Sequence, residues 1–161
     1  DIIRTNALGN FGSMLKEISK SAAMLNFLNN QQNKKDHPNE NFARELFELF
    51  TLGEGHYTEQ DIKEAARAFT GWHLDFHTGA FRVDLRHHDD GRKVVFGKSG
   101  PFEGDDILLL TLEQPQVARY IVGKLWREFI SDRPDSLEVD RLADSFRKRT
   151  MRSPDCSRTC S

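Results

Sequence analysis

The segment from Asn39 to Trp72 constrains the fold most, because two helical patterns flank a short turn that contains glycine. Between residues 40 and 52, apolar side chains recur at helical spacing and form a face broad enough to be buried on two sides: Phe42, Ala43, Leu46, Phe47, Leu49 and Phe50. Between residues 58 and 70, a second stripe follows the i, i+3, i+4, i+7 pattern: Ile62, Ala65, Ala66 and Phe69. The segment therefore predicts a helical hairpin.

The ends of both helices carry their own signals. Asn39 is expected to be the N-cap of the first helix, and Gly53 to end it in a left-handed conformation. Thr58 is expected to cap the second helix, with Asp61 three residues later in an imperfect capping box. Gly71 then ends that helix, so the turn between the helices is short.

The flanking sequence adds further helices and a small β element. Residues 11–28 predict a helix and a second short helix capped by Ser21, and the polar residues 29–38 predict a loop. Alternating apolar residues predict a small β-hairpin or an irregular β insertion at 72–96, followed by a glycine-rich loop at 97–106. Helices are expected at about 112–131 and 135–147, with core stripes of Ala118, Ile121, Val122, Leu125 and Phe129, and of Val139, Leu142, Ala143 and Phe146. The predicted fold class is mainly α.

The C-terminal residues differ in composition from the rest. The stretch RKRTMRSPDCSRTCS has almost no apolar residues and no periodicity. Cys156 and Cys160 lack a second Cys or His pair, which argues against a zinc site. We expect a single mainly helical domain at 1–147 and a disordered or non-native tail at 148–161. Because the chain starts at Asp1, we also expect it to be an internal fragment of a longer protein.

Charge and hydropathy exclude several function classes. The net charge of −2 gives no basis for specific nucleic-acid binding. No run of eighteen apolar residues is present, so no membrane span is expected. Nucleophile-elbow, Walker and Rossmann glycine motifs are also missing from the sequence.

Charged side chains on the hairpin suggest a polar junction. Glu40, Arg44 and Glu48 follow one another at i, i+4 spacing, and Glu45 lies on the same polar face. Arg67 lies on the polar stripe of the second helix. The simpler interpretation is a solvated face with ion pairs of roughly 0.2–0.5 kcal/mol each. The alternative that we favour is a buried junction centred on Arg44.

A second cluster of polar residues follows the hairpin. His73, Asp75 and His77 share one strand face if the alternation holds, and His87, His88, Asp89 and Asp90 follow about ten residues later. Histidine and carboxylate form a suitable ligand set for a divalent transition metal. The simpler interpretation is an exposed polar strand face and an aspartate-rich turn.

Three stretches resemble, in order and spacing, the motifs of domain of unknown function 1800, an uncharacterised bacterial family. The first motif is NENFARELFELFTLG (39–53), the second YTEQDIKEAARAFTGW (57–72) and the third HDDGRKVVFG (88–97). The resemblance covers about residues 6–130 and includes GNFGSML and AMLNFLNN. It implies a mainly helical bacterial protein, longer than this chain and without an established activity. It also implies a partner, a second bacterial protein encoded nearby that tends to carry export signals, so an upstream signal would make this protein exported.

The resemblance also ranks the candidate residues. Glu40, Arg44, Glu45, Arg67, His88 and Asp89 match the motif positions, whereas His73, Asp75 and His77 do not. His88 and Asp89 therefore become the first metal candidates, and we expect them to dock on the Arg44 junction.

Two functional classes remain open. One is a structural or partner-binding module in which the polar motifs fix helix packing, and it is the class we favour. The other is a metal-assisted hydrolase with the six motif residues lining one cleft. The classes differ in whether those polar groups converge on a solvent-reachable pocket or pair off internally.

Overall fold

A computed structural model describes residues 2–75 and 77–151 of the chain. The helices of this part are α1 (Ile2–Asn6), α2 (Phe11–Ser19), α3 (Ala22–Phe27), α4 (Asn41–Glu45), α5 (Glu59–Ala68), α6 (Gly104–Glu113), α7 (Pro115–Phe129) and α8 (Ser136–Thr150). A 3₁₀ turn lies at Asn30–Gln32 and a π-helical segment at Leu46–Thr51. The strands are β1 (Trp72–Leu74), β2 (Phe81–Val83), β3 (Lys93–Val95) and β4 (Lys98–Gly100). The mainly α fold class is confirmed.

The predicted hairpin is present, but its first helix changes geometry. α4 begins at Asn41 with Glu40 as its N-cap, so the assignment of the cap to Asn39 was wrong, although the side chain of Asn39 accepts from the N–H of Asn41 at 2.9 Å. After Glu45 the chain continues as the π-helical segment, which ends at Thr51, and Gly53 follows with a φ of 81°. On α5, Thr58 forms a complete, reciprocal capping box with Asp61.

Aromatic side chains join the hairpin to the first strand. Phe42, Phe69 and Trp72 form a cluster with edge-on ring contacts whose centroids lie 4.8–6.1 Å apart. Phe42, Leu46, Ile62, Ala66 and Phe69 are buried as predicted, while Phe50 is only partly buried. The wider π turn rotates the residues after Leu46 away from the positions that a regular α-helix gives them.

The β structure consists of two separate antiparallel hairpins rather than one. β1 pairs with β2, and β3 pairs with β4, within the described residues. The glycine-rich loop predicted at 97–106 was wrong, because this stretch contains β4 and the start of α6. The turn between β3 and β4 places Phe96 and Gly97 at φ values of 49° and 75°, as a two-residue hairpin turn requires.

The C-terminal helices also differ from the prediction. The helix expected at 112–131 is two helices, because α7 begins at Pro115, which lacks the N–H that an uninterrupted helix would use. Ala118 and Val122 are buried, but Leu125 and Phe129 are 46% and 77% exposed, so their assignment to the core was wrong.

The last helix extends beyond its expected end. α8 continues to Thr150, and the following Met151 is buried against the core. Residues 152–161, with both cysteines, lie outside the described residues, so the division into a domain and a tail stays a prediction. In the described part, no helix has the length and apolar character needed to cross a bilayer.

Candidate functional site

The polar junction of the molecule centres on Arg67 of α5. Its Nε and Nη2 donate to the two carboxylate oxygens of Asp89 at 2.7 and 3.2 Å. Its Nη1 donates to both oxygens of Glu64 at 3.1 Å and to the carbonyl of Arg92 at 3.2 Å. The arginine fork therefore holds the second motif against the third with several charge-assisted bonds.

Thr70 forms a second link between the same two motifs. Its hydroxyl accepts a hydrogen bond from the N–H of Asp89 at 2.8 Å and donates to the carbonyl of Arg67 at 2.6 Å. Its carbonyl oxygen lies 2.8 Å from Nδ1 of His88, a buried residue. Because a carbonyl can only accept, Nδ1 of His88 carries the proton in this contact.

Acidic residues of α5 hold the strand β3 in place. The N–H groups of Val94 and Phe96 donate to Glu64 Oε2 at 2.9 Å and to Asp61 Oδ1 at 2.7 Å. The other oxygen of Asp61 caps the helix itself by accepting from the N–H of Thr58 at 2.9 Å. The two carboxylates thus satisfy one backbone donor of β3 and one of the turn that follows it.

Lys93 is a buried cation that contacts the third motif at the junction. Its side chain is fully buried, and its ammonium donates to the carbonyls of Asp89 and Gly91. Burial lowers the pKa of Lys93. Arg67 lowers the pKa of Asp89 through its hydrogen bonds, and Asp89 in turn raises the pKa of Arg67. The Arg67–Asp89 pair is therefore ionised at neutral pH.

Arg44 forms a different and more open cluster. Its guanidinium donates to both oxygens of Glu59 at 2.9 and 2.8 Å and to Glu40 at 3.0 Å. The side chain is 35% exposed and that of Glu59 is 67% exposed. The bond to Glu40 agrees with the helical spacing, but Glu48 instead accepts from the hydroxyl of Tyr57.

The structure divides the predicted site residues between two places. Arg67, His88 and Asp89 meet at the junction, whereas Glu40 and Arg44 line an open groove of about 590 Å³ together with Asn39 and Asn41. The expectation that His88 and Asp89 dock on Arg44 was wrong, because Arg67 and Thr70 take those contacts. Glu45 is partly buried and pairs with no other described residue.

The other metal candidates have structural contacts. Nδ1 of His73 lies 3.1 Å from the carbonyl of Gly71. Asp75 accepts from the N–H groups of His77 and Thr78 and forms an ion pair at 2.9 Å with an arginine of β2. Among residues 2–75 and 77–151, no three or more His, Cys, Asp or Glu side chains are grouped so that they could hold a metal ion.

Sequence reasoning also missed how α7 supports the first motif. Tyr120 and Lys124 donate to the carbonyls of Glu48 and Leu49 at 3.0 Å each, and Gln116 donates to that of Leu52 at 3.2 Å. The first two carbonyls belong to the last turn of the π-helical segment, where no residue of the segment bonds them, and that of Leu52 follows the segment directly. The i, i+4, i+8 spacing of the three α7 residues was visible in the sequence, but their target was not.

Comparison with known proteins gives a family but no relative of known activity. The family model described as "Protein of unknown function (DUF1800)" matches residues 1–158. Neither a curated protein nor a solved structure matches the chain.

Proposed function

The chain belongs to the family described as "Protein of unknown function (DUF1800)", and from its geometry we propose that it is a non-catalytic, partner-binding module. In this proposal the polar motifs are structural. They fix α5, the β3–β4 hairpin and the turn before it in one arrangement, and binding is left to other surfaces.

The observation that carries the proposal is the internal pairing of two motif carboxylates, Asp89 and Glu64. Both oxygens of Asp89 accept from Arg67, and one also accepts from the N–H of Gly91. Both oxygens of Glu64 accept from Arg67, and one also accepts from the N–H of Val94. A general base or a metal ligand needs a lone pair that substrate or metal can reach. These four oxygens are already used in holding the fold.

Exposed apolar side chains support the partner-binding half of the proposal. Phe129 and Ile130, at the end of α7, are 77% and 63% exposed, and Leu137 at the start of α8 is 79% exposed. Exposed apolar side chains that gather into a patch mark interaction sites. The second bacterial protein that the family resemblance implies is one candidate partner.

A metal titration separates this proposal from the metal-assisted hydrolase. Thermal unfolding would be followed with increasing Zn²⁺, Mn²⁺ or Mg²⁺ for the wild type, for Asp89→Asn and for Asp90→Asn. Asp90 is the exposed neighbour of Asp89 and serves as the matched control. We expect Asp89→Asn to lower the melting temperature at every metal concentration, with no saturable stabilisation in any variant.

The metal-assisted hydrolase predicts the opposite result. A metal that binds only the folded state raises the melting temperature in a saturable way. If such a rise occurs in the wild type and in Asp90→Asn but is lost in Asp89→Asn, Asp89 is a metal ligand and the structural role assigned to it is overturned.

A further inference from the structure

A groove of about 640 Å³ lies between the N-terminal helices and the pair α7–α8. Its apolar lining comes from α2, α7 and α8, namely Phe11, Met14, Ile121, Leu125 and Phe146. Four of these side chains are only partly buried and Leu125 is 46% exposed, so apolar surface here faces solvent. The groove shares no lining residue with the Arg67 junction.

The apolar surface continues along α7 beyond the groove. Phe129 follows Leu125 at i+4, so the two side chains lie on the same face of the helix. Phe129 is 77% exposed, which makes it a large side chain without a packing site in the described part of the chain. One molecule thus presents both an apolar groove and, one helical turn away, an aromatic side chain of a size to enter such a groove.

The charged residues of α7 differ in whether their side chains are already paired. Arg119, outside the groove, forms a bidentate pair with Asp140, and Lys124, which lines the groove, donates to a backbone carbonyl. Arg127 and Glu128 also line the groove, and neither side chain forms a hydrogen bond or ion pair with another described residue. Two adjacent side chains of opposite charge are therefore unpaired at the edge of the apolar surface.

We infer that this surface binds a second copy of the chain about a two-fold axis. In such an isologous contact, Arg127 of each copy meets Glu128 of the other. The dimer then contains two identical ion pairs, related by the two-fold axis. Phe129 of each copy packs against the groove of the other. The inference rests on the proposed function, since it names the partner of the binding module.

The charge pattern favours a second copy over other occupants. Lys124 is already bonded to a backbone carbonyl, so Arg127 and Glu128 are the charges left for a partner. An acidic partner, or an anionic lipid surface, would be attracted by Arg127 but repelled by Glu128. A basic partner would be attracted by Glu128 but repelled by Arg127. Only a surface that itself offers one acid and one base in the matching places satisfies both, and the two-fold copy does so by symmetry.

Charge reversal tests the inference with the full chain. Sedimentation velocity over a concentration series would be run on the wild type, on Arg127→Glu and on Glu128→Arg, with circular dichroism to check folding. Lys63→Glu, an exposed charge reversal on α5 outside the groove, is the matched control. We expect the wild type and the control to form dimers, and each groove variant alone to dimerise roughly tenfold more weakly or worse, because like charges then face each other.

An equimolar mixture of the two groove variants gives the decisive measurement. In the mixed dimer, both acids of Arg127→Glu face both bases of Glu128→Arg, so dimerisation should return. A wild type that stays monomeric overturns the inference, as does a mixture that associates no better than its components. A monomer that instead binds vesicles containing phosphatidylglycerol would make the groove a lipid surface and also overturn it. Each of these results is independent of the metal titration that tests the proposed function.

Discussion

The first prediction compares the two arginines of the motifs, Arg67 and Arg44. Each pairs with two carboxylates, but the carboxylates differ in their exposure to solvent. We propose to replace Arg67 and Arg44, each in turn, by Met, which keeps much of the side-chain volume and removes the charge. Arg67 is 28% exposed and its partners Glu64 and Asp89 are 12% and 19% exposed. Arg44 is 35% exposed and its main partner, Glu59, is 67% exposed.

The expected magnitudes follow from these exposures. Removing one partner of a fully buried pair costs 3–5 kcal/mol, and removing one partner of an exposed pair costs under about 1 kcal/mol. Arg67 lies between these limits but near the buried one, because its loss leaves two mostly buried carboxylates without their cation. We expect Arg67→Met to lower the free energy of unfolding by about 2–4 kcal/mol and Arg44→Met by less than about 1 kcal/mol.

Urea unfolding followed by circular dichroism measures both losses. For a chain of this length, about 2–4 kcal/mol corresponds to a fall in melting temperature of roughly 4–16 °C. Arg67→Lys should also be destabilising, because a single ammonium cannot span both carboxylates and the carbonyl of Arg92. A loss for Arg44→Met equal to or greater than that for Arg67→Met would refute the assignment of the junction to Arg67.

The same pair predicts a dependence of stability on pH. The pKa of Asp89 is lowered in the folded state, chiefly by its hydrogen bonds to Arg67. Its contribution to stability is therefore present above the ordinary aspartate pKa of about 3.9 and is lost as the pH falls through the lower, folded value. In Arg67→Met this part of the acid-induced loss should be absent, which a urea series at several acidic pH values would measure.

Three further predictions use neighbouring positions as controls. Leu46→Ala should cost about 2–5 kcal/mol because Leu46 is buried, whereas Leu49→Ala should cost under about 1 kcal/mol; equal losses in urea unfolding would show that the faces of the π-helical segment are misassigned. Gly53 and Gly55 both have a φ of 81°, but only at Gly53 would a Cβ lie 2.8 Å from an aromatic ring of α7, so Gly53→Ala should lose clearly more stability than Gly55→Ala. Burial and a hydrogen bond to a carboxylate raise the pKa of Tyr57 to about 12, so stability should fall as the pH rises above about 10, where the unfolded tyrosine ionises first. Ultraviolet titration in a variant without the other tyrosine measures that pKa, and an ordinary value would contradict the partly buried placement and the bond to the carboxylate.

Features that depend on neighbouring residues in sequence could be predicted. The Thr58–Asp61 box spans three residues and the Glu40–Arg44 pair spans four, so helical spacing alone identifies both. The π-helical segment could not be predicted, because its side chains fit a regular helix equally well. The short β4 strand shows no apolar alternation, so its sequence favours a loop.

Contacts between distant residues account for the main error at the site. Local spacing makes Arg44 the natural centre, since acids precede and follow it by one helical turn. The partners that decide the matter are distant, because Glu59 is 15 residues from Arg44 and Asp89 is 22 residues from Arg67. Nothing in the periodicity of either helix indicates which arginine faces the third motif.

The position of α5 gives a physical reason for the three motifs to occur together. Its apolar face packs Phe69 against Phe42 of the first motif, with ring centroids 4.8 Å apart. Its polar face holds the third motif through Arg67, and through acids that accept backbone N–H groups of β3 and of the turn after it. A change in the third motif therefore acts on α5 directly, because Asp89 is the main anion of Arg67. The motifs form one packing unit around this helix, and the exposed apolar side chains of α7, Leu125 and Phe129, lie outside the three motifs.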